Sequence, residues 1–256
     1  FGAAFAAWKK FGNEAEYIAV NYGQEPPPVN GKDVYIIDFS YPRETLLKMA
    51  AVANTLTVLD HHKTARDDLA GLAFAKFDMD KSGCRLAWEH FHPGVELPAM
   101  LFHIEDRDLW KFTSPLTKPF CEALRNTRAM DFEAWDCINS SATSRFGLED
   151  TGYTLLAIFE KEVQELLKHK HKTPMGLVKE GLACNAPPKY ASELGHKLAE
   201  LSDTYGMVYF YSGETNEWRY SLRSIGDFDV SAIAKHFGGG GHKNAAGFST
   251  KQMLTI

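Results

Sequence analysis

Short apolar runs rich in β-branched side chains alternate along this chain with segments whose apolar positions recur at helical spacing. Val34-Tyr35-Ile36-Ile37 and Leu56-Thr57-Val58-Leu59 have the length and composition of buried strands, and Tyr17-Ile18-Ala19-Val20 predicts a shorter one. Between the two longer runs, Pro42 to Val52 predicts a helix with Leu46, Leu47, Met49 and Ala50 on its inner side. Strand, helix and strand at this spacing predict a right-handed parallel crossover. Asp38 and Asp60, each closing its strand, should then emerge on one edge of one sheet. Residues 1–12 predict another helix, whose Ala3, Ala4, Ala6 and Ala7 permit close packing and which Gly12 and Asn13 end.

Ser82 to Glu89 starts a helix capped by Ser82 or Asp80. Residues 130–172 read as mostly helical, with a core stripe of Leu155, Phe159, Val163 and Leu166, and Thr173-Pro174-Met175-Gly176 breaks the chain after them. Beyond that break the texture becomes short strands: Gly181 to Cys184, Met207 to Tyr211 and Glu217 to Ser224, with a helix containing Leu194, Leu198 and Leu201 after the first and another over Val230 to His236. The pattern predicts an α/β protein: an N-terminal parallel-sheet domain over 1–125, a helical connector over 126–180 and a smaller α/β domain over 181–256.

Composition bounds the chemistry. The 256 residues are 45% hydrophobic and 24% charged, as in an ordinary soluble globular protein. A net charge of −5 provides no global attraction for nucleic acid, so an anionic substrate must be drawn by local cations or by metal. Cys84, Cys121, Cys137 and Cys184 lack a C-x-x-C spacing, which points to reduced thiols in a cytoplasmic protein. No apolar run approaches the roughly 20 residues that span a bilayer. The opening Phe1-Gly2-Ala3-Ala4-Phe5 lacks the basic lead of a signal peptide and reads as part of an amphipathic helix that opens in mid-pattern.

Candidate chemistry gathers at the strand ends. Asp60-His61-His62-Lys63 places a carboxylate and two imidazoles where open α/β sheets keep their sites. That donor set suits a Mn²⁺-, Zn²⁺- or Fe-type ion, and a solvated turn would also accommodate it. Glu105-Asp106-Arg107-Asp108 alone reads as a solvated charge cluster, His90 and His92 as surface histidines, and Lys168-His169-Lys170-His171-Lys172 as cations closing a helix. Gly238 to Gly241, next to His242 and Lys243, differ: a run of glycines allows close backbone approach and exposes N–H groups that can ring a phosphate.

Taken together, Asp38, Asp60-His61-His62 and Asp106, with the C-terminal Gly239-Gly240-Gly241-His242, resemble the DHH/DHHA1 phosphoesterase superfamily. Val58 to Ala65, Ile104 to Trp110 and Ser221 to Ser224 look closest to its RecJ-like, nanoRNase B-type oligoribonuclease branch. The resemblance implies that residues 1–125 form a DHH metal-binding domain and 181–256 a DHHA1 substrate-binding domain, with substrate in a cleft between them. It implies two Mn²⁺ ions, with Mg²⁺ the alternative. Asp38 would bridge the ions, and His61 and Asp106 would complete the second ion's shell, with Asp108 the less favoured choice. Asp60 would orient His61, and His62 would face the substrate phosphate. Arg223, the amides of Gly238, Gly239, Gly240 and Gly241, and His242 would grip a terminal phosphate. The family's first motif, a His followed by an acid and Asp-Gly, is expected before Phe1.

The implied activity is exonucleolytic hydrolysis of short oligoribonucleotides to mononucleotides by two-metal in-line water attack. A short RNA or nucleotide is the implied partner, with no membrane; a homo-oligomer is compatible. A cyclic mono- or dinucleotide phosphodiesterase, another small phosphoester hydrolase, and a degenerate nucleotide-binding module without turnover are the alternatives.

Overall fold

In the computed structural model, residues 1–127, 131–173 and 180–254 are described. The chain divides into two compact units, Phe1–Ala157 and Ile158–Ile256.

The first unit opens with α1 (Gly2–Phe11), whose Ala3, Phe5, Ala6 and Ala7 are buried. Its small residues allow close packing: a Cβ on Gly2 would sit 3.1 Å from that of Cys84. Gly12 ends the helix at φ 56°, a conformation that suits glycine. Tyr17 to Val20, expected as a strand, has no ladder pairing among the described residues. Its β propensity finds no neighbouring strand to realise it.

β1 (Asp33–Ile37), α2 (Arg43–Val52) and β2 (Thr55–Asp60) follow the expected pattern, and β1 pairs with β2 in parallel. Leu46 and Met49 of α2 enter the core, whereas Leu47 faces solvent, because the helix buries a narrower stripe than its composition suggested. After the short α3 (Lys63–Asp68), β3 (Ala75–Phe77) adds a third parallel strand beside β2, giving the order β1-β2-β3. The helices α4 (Gly83–Phe91), α5 (Ala99–Asp108), α6 (Thr117–Asn126) and α7 (Phe132–Ser140) complete the unit together with the first part of α8 (Ala142–Leu167). The Ser82 hydroxyl caps α4 by accepting from the Arg85 amide at 3.3 Å.

In the second unit Phe159, Val163 and Leu167 of α8 join a core with Leu194, Leu198 and Val208. The strands are β4 (His171–Lys172), β5 (Leu182–Asn185), β6 (Tyr205–Ser212), β7 (Glu217–Ser224), β8 (Gly240–His242) and β9 (Ala245–Thr250), arranged β4-β5-β6-β7-β9-β8. Helix α9 (Ala191–Ser202) covers β5 to β7, and α10 (Val230–His236) packs with β8 and β9. Leu201 of α9 is exposed beyond the buried stripe of Leu194 and Leu198. The chain break expected at residues 173–176 lies, apart from Thr173, outside the described residues. No described helix is long and apolar enough to cross a membrane.

Candidate functional site

The parallel register of β1 and β2, with Ile37 opposite Leu59, delivers Asp38 and Asp60 to the same sheet edge. Asp38 leaves its strand with φ 58°, a left-handed backbone uncommon for a residue with a Cβ. The amide of Asp38 still donates to the Leu59 carbonyl at 2.9 Å, so the turn is anchored to β2.

Asp60 is fully buried. Its Oδ1 accepts from the His61 amide at 2.8 Å and lies 2.6 Å from His62 Nδ1, while Oδ2 accepts from the Ser40 hydroxyl at 2.6 Å. Burial opposes its charge, but the hydrogen bonds and charge of His62, with Ser40 and the His61 amide, prevail and hold the carboxyl below its usual range. Reciprocally, the His62 imidazolium loses solvation, yet Asp60 raises its pKa. Asp60 thus contacts the ring of His62 and the backbone amide of His61, whereas the expectation placed it behind His61.

His61 is buried, with Nε2 3.2 Å from Asp38 Oδ1 and 3.4 Å from Asp108 Oδ2. Desolvation lowers its pKa, and the contact with Asp38 and the charge of Asp108 more than reverse that. Asp108 is the last residue of α5 and keeps 44% of its side chain exposed. Crowding by surrounding protein nevertheless pushes its carboxyl up to about 6, with Asp38 adding to the rise and His61 opposing it. Asp106, the acid favoured from the sequence, is not among these groups. It is buried, and its carboxylate accepts from the Thr113 amide (2.8 Å), the Thr113 hydroxyl (2.7 Å), the Ser114 amide (3.3 Å) and the Thr117 hydroxyl (2.6 Å). These bonds outweigh burial and hold its carboxyl at about 2. They bind the end of α5 to the start of α6.

α4 and α5 are fixed to each other beneath the cluster. Arg85 Nε contacts both Glu105 oxygens at 2.7 and 2.6 Å, and Glu105 Oε1 also accepts from the Ser82 amide at 3.3 Å. The first residue of α4 is Gly83, where a Cβ would fall 2.2 Å from Asp38 Oδ1. The site therefore requires a glycine there. Donor atoms of Asp38, Asp60, His61 and His62 lie within 4.8 Å of one another. Mixed carboxylate and imidazole donors at this spacing fit a transition-type divalent ion.

In the second unit, Arg223 of β7 lies opposite Ala245 of β9, which lies opposite His242 of β8. Directly opposed residues share a sheet face, so a cation and an imidazole flank one small side chain. Ser221, Gly247 and Gly240 form the parallel row beside them, a floor of small residues. Arg223 Nη2 donates to Ser192 Oγ at 2.9 Å near the start of α9. The glycine amides behave differently from the expectation. Those of Gly238 and Gly239 donate to Lys235 and Ala234 carbonyls at 3.0 and 2.8 Å, ending α10, while Gly240 and Gly241 lie in β8. A Cβ at Gly239 would meet the Gly247 carbonyl oxygen at 2.1 Å, so packing accounts for this glycine.

Sequence reasoning missed Ser40, Gly83 and Ser192 and ranked Asp108 second. Only Gly83, beside a helix-capping serine, carried a local signal, a residue without a side chain at a helix start.

Residues 186–255 match the DHHA1 domain family. The chain is 34% identical over 233 residues to an uncharacterized protein of Acanthamoeba polyphaga mimivirus, covering 86% of this chain and 54% of that protein. It is 31% identical over 129 residues to the oligoribonuclease NrnB of Bacillus subtilis strain 168, covering 46% of this chain and 30% of that one. The chain thus spans about half the length, or less, of these curated relatives. Among solved structures, the DHH domain of a member of the s1p family of ribosomal proteins superposes with a TM-score of 0.55 at 16% identity, over 84% of this chain and 65% of that one. Residues 186–255 thus carry a DHHA1 domain, and the fold of the chain resembles that of a DHH domain.

Proposed function

We propose that this chain carries the chemistry of a metal-dependent phosphodiesterase that hydrolyses short oligoribonucleotides to mononucleotides. The observation that carries this reading is the meeting of His61 Nε2 with Asp38 and Asp108 carboxylates beside the buried Asp60–His62 pair. Asp38, His61 and Asp108 would hold divalent metal, with Mn²⁺ the ion their mixed oxygen and nitrogen donors favour. Asp108 replaces Asp106 in this proposal, because the hydrogen bonds from Thr113, Ser114 and Thr117 occupy the Asp106 carboxylate. Bound metal supplies Lewis acidity and a lowered water pKa for attack on phosphorus.

The chain's own groups do the rest. Asp60 accepts from His62 Nδ1 and favours the protonated ring in one orientation, so that the Nε2–H on the opposite side would donate to a phosphate oxygen. Gly83 leaves Asp38 room to take up its position. In the second unit Arg223, held by Ser192, and His242 offer donors suited to a phosphate over a floor of small residues. The oligoribonuclease name of the Bacillus subtilis relative supports a short RNA as substrate.

The test is incubation of the natural protein with Mn²⁺ and RNAs of two to five nucleotides, alongside cyclic dinucleotides. Release of mononucleotides from the linear RNAs, stopped by a chelator, is expected. Intact linear RNA overturns the reading, and cleavage of only the cyclic compounds moves the substrate to that class.

A further inference from the structure

Tyr22 stands at the tip of a tight turn close to the candidate metal cluster. The Gln24 amide donates to the Asn21 carbonyl at 3.2 Å, and the Asn21 amide donates to the Gln24 side-chain oxygen at 2.8 Å. Gly23 takes φ 84°, the value a type II turn requires at its third position, which places Tyr22 at the second. A turn closed by two hydrogen bonds holds its tip in one conformation.

The aromatic ring packs against a second aromatic residue. Its centroid lies 4.8 Å from that of Phe39, and Phe39 lies 4.9 Å from Tyr41 in an edge-on contact. Phe39 sits between Asp38 and Ser40, so the backbone that supports Tyr22 also carries the cluster. Phe39 and Tyr41 are buried, whereas Tyr22 remains 69% exposed. A large exposed aromatic residue at the end of a buried aromatic ladder offers a flat surface to solvent beside the acids. Although the ring is exposed, protein crowded about the hydroxyl, followed by the charges of Asp60 and Asp38, pushes the phenol up to about 12. It therefore stays neutral at physiological pH.

We propose that Tyr22 is a substrate-contact residue whose ring stacks on a nucleobase of the substrate, extending the Phe39–Tyr41 ladder by one ring. The inference rests on the nucleotide reading above and deepens it. It makes the base, in addition to the phosphate, a determinant of binding at the cluster. Stacking on an aromatic side chain tolerates every base, because each has a π face, so base-independent affinity is expected.

The test compares binding of AMP and ribose 5-phosphate by calorimetry in the natural protein and in Tyr22→Leu and Tyr22→Phe, with diribonucleotide hydrolysis measured in parallel. Wild type should prefer AMP, and Tyr22→Leu should weaken AMP binding about 10-fold while leaving ribose 5-phosphate unchanged. Tyr22→Phe, which keeps the ring, should retain the preference. Equal affinity of wild type for the two ligands overturns the proposal. So does unchanged AMP binding in Tyr22→Leu, or a Tyr22→Phe variant as weak as the leucine. Base-dependent binding without diribonucleotide turnover removes the hydrolytic reading alone, whereas turnover with Tyr22-insensitive binding removes this one alone.

Discussion

Asp60 Oδ1 lies 2.6 Å from His62 Nδ1, and the same oxygen accepts from the His61 amide at 2.8 Å. One fully buried carboxylate thus sets the ring of one histidine and the backbone of the other. Asp60→Asn removes the charge that raises the His62 pKa. We expect activity to fall about 10- to 100-fold and the His62 titration, followed by NMR in metal-free protein, to move to lower pH. The sign for stability follows. The raised His62 contributes fully below its unfolded value of about 6.5 and loses that contribution as pH rises through its folded value. An unmoved His62 titration in the variant contradicts this account.

The two acids of α5 should separate cleanly. Asp108→Asn should weaken Mn²⁺ binding at least about 10-fold with little change in Tm, since its side chain is 44% exposed and contacts the His61 ring. Asp106→Asn should leave metal affinity close to wild type and lower Tm by about 4–8 °C, a loss of about 2 kcal/mol from charged hydrogen bonds. Metal titration and thermal melts on both variants check this, and the reverse pattern would restore Asp106 as ligand.

Asp106 also predicts behaviour in acid. Its folded carboxyl is held at about 2, below the unfolded value of about 3.9. The stability it gives is complete above the unfolded value and is lost as pH falls through about 2. Protection of the Thr113 and Ser114 amides against hydrogen exchange, relative to their intrinsic rates, should therefore fall between about pH 4 and pH 2 in wild type. In Asp106→Asn that protection should be low already at neutral pH.

Gly83→Ala sets helix propensity against the site. Alanine favours a helix by about 1 kcal/mol over glycine in an interior position. Here its Cβ would fall 2.2 Å from Asp38 Oδ1. The expected outcome is unchanged helical content by circular dichroism with a loss of Mn²⁺ affinity. Full affinity would mean that Asp38 reaches metal from another rotamer.

Arg223→Lys keeps the charge but not the fork that reaches Ser192. KM for a short RNA should rise about 10-fold with a smaller effect on kcat, measured by steady-state hydrolysis.

The strand-end acids were legible because two apolar runs of strand length each stopped at an aspartate, and parallel pairing does the rest. The resemblance ranked Asp106 above Asp108, and the hydrophobic pattern gave no ground for the choice. The choice between them depends on whether the loop after α5 returns hydroxyls and amides to one of them, and Thr113 and Thr117 show no such role in a one-dimensional pattern. The glycine run carried a phosphate-loop signature, yet the Gly238 and Gly239 amides serve α10 and Gly239 answers to a neighbouring carbonyl. Close backbone packing and anion binding ask for the same residue. Tyr17 to Val20 had strand composition, but a strand exists only with a neighbour, which local sequence does not supply.

The backbone of Asp38 at φ 58° has a consequence for how this protein can change. Holding a side-chain-bearing residue in that region costs about 1–3 kcal/mol. Glycine would relieve the cost. A selection that rewards only thermal resistance should therefore enrich Asp38→Gly, and with it molecules that fold better and do nothing.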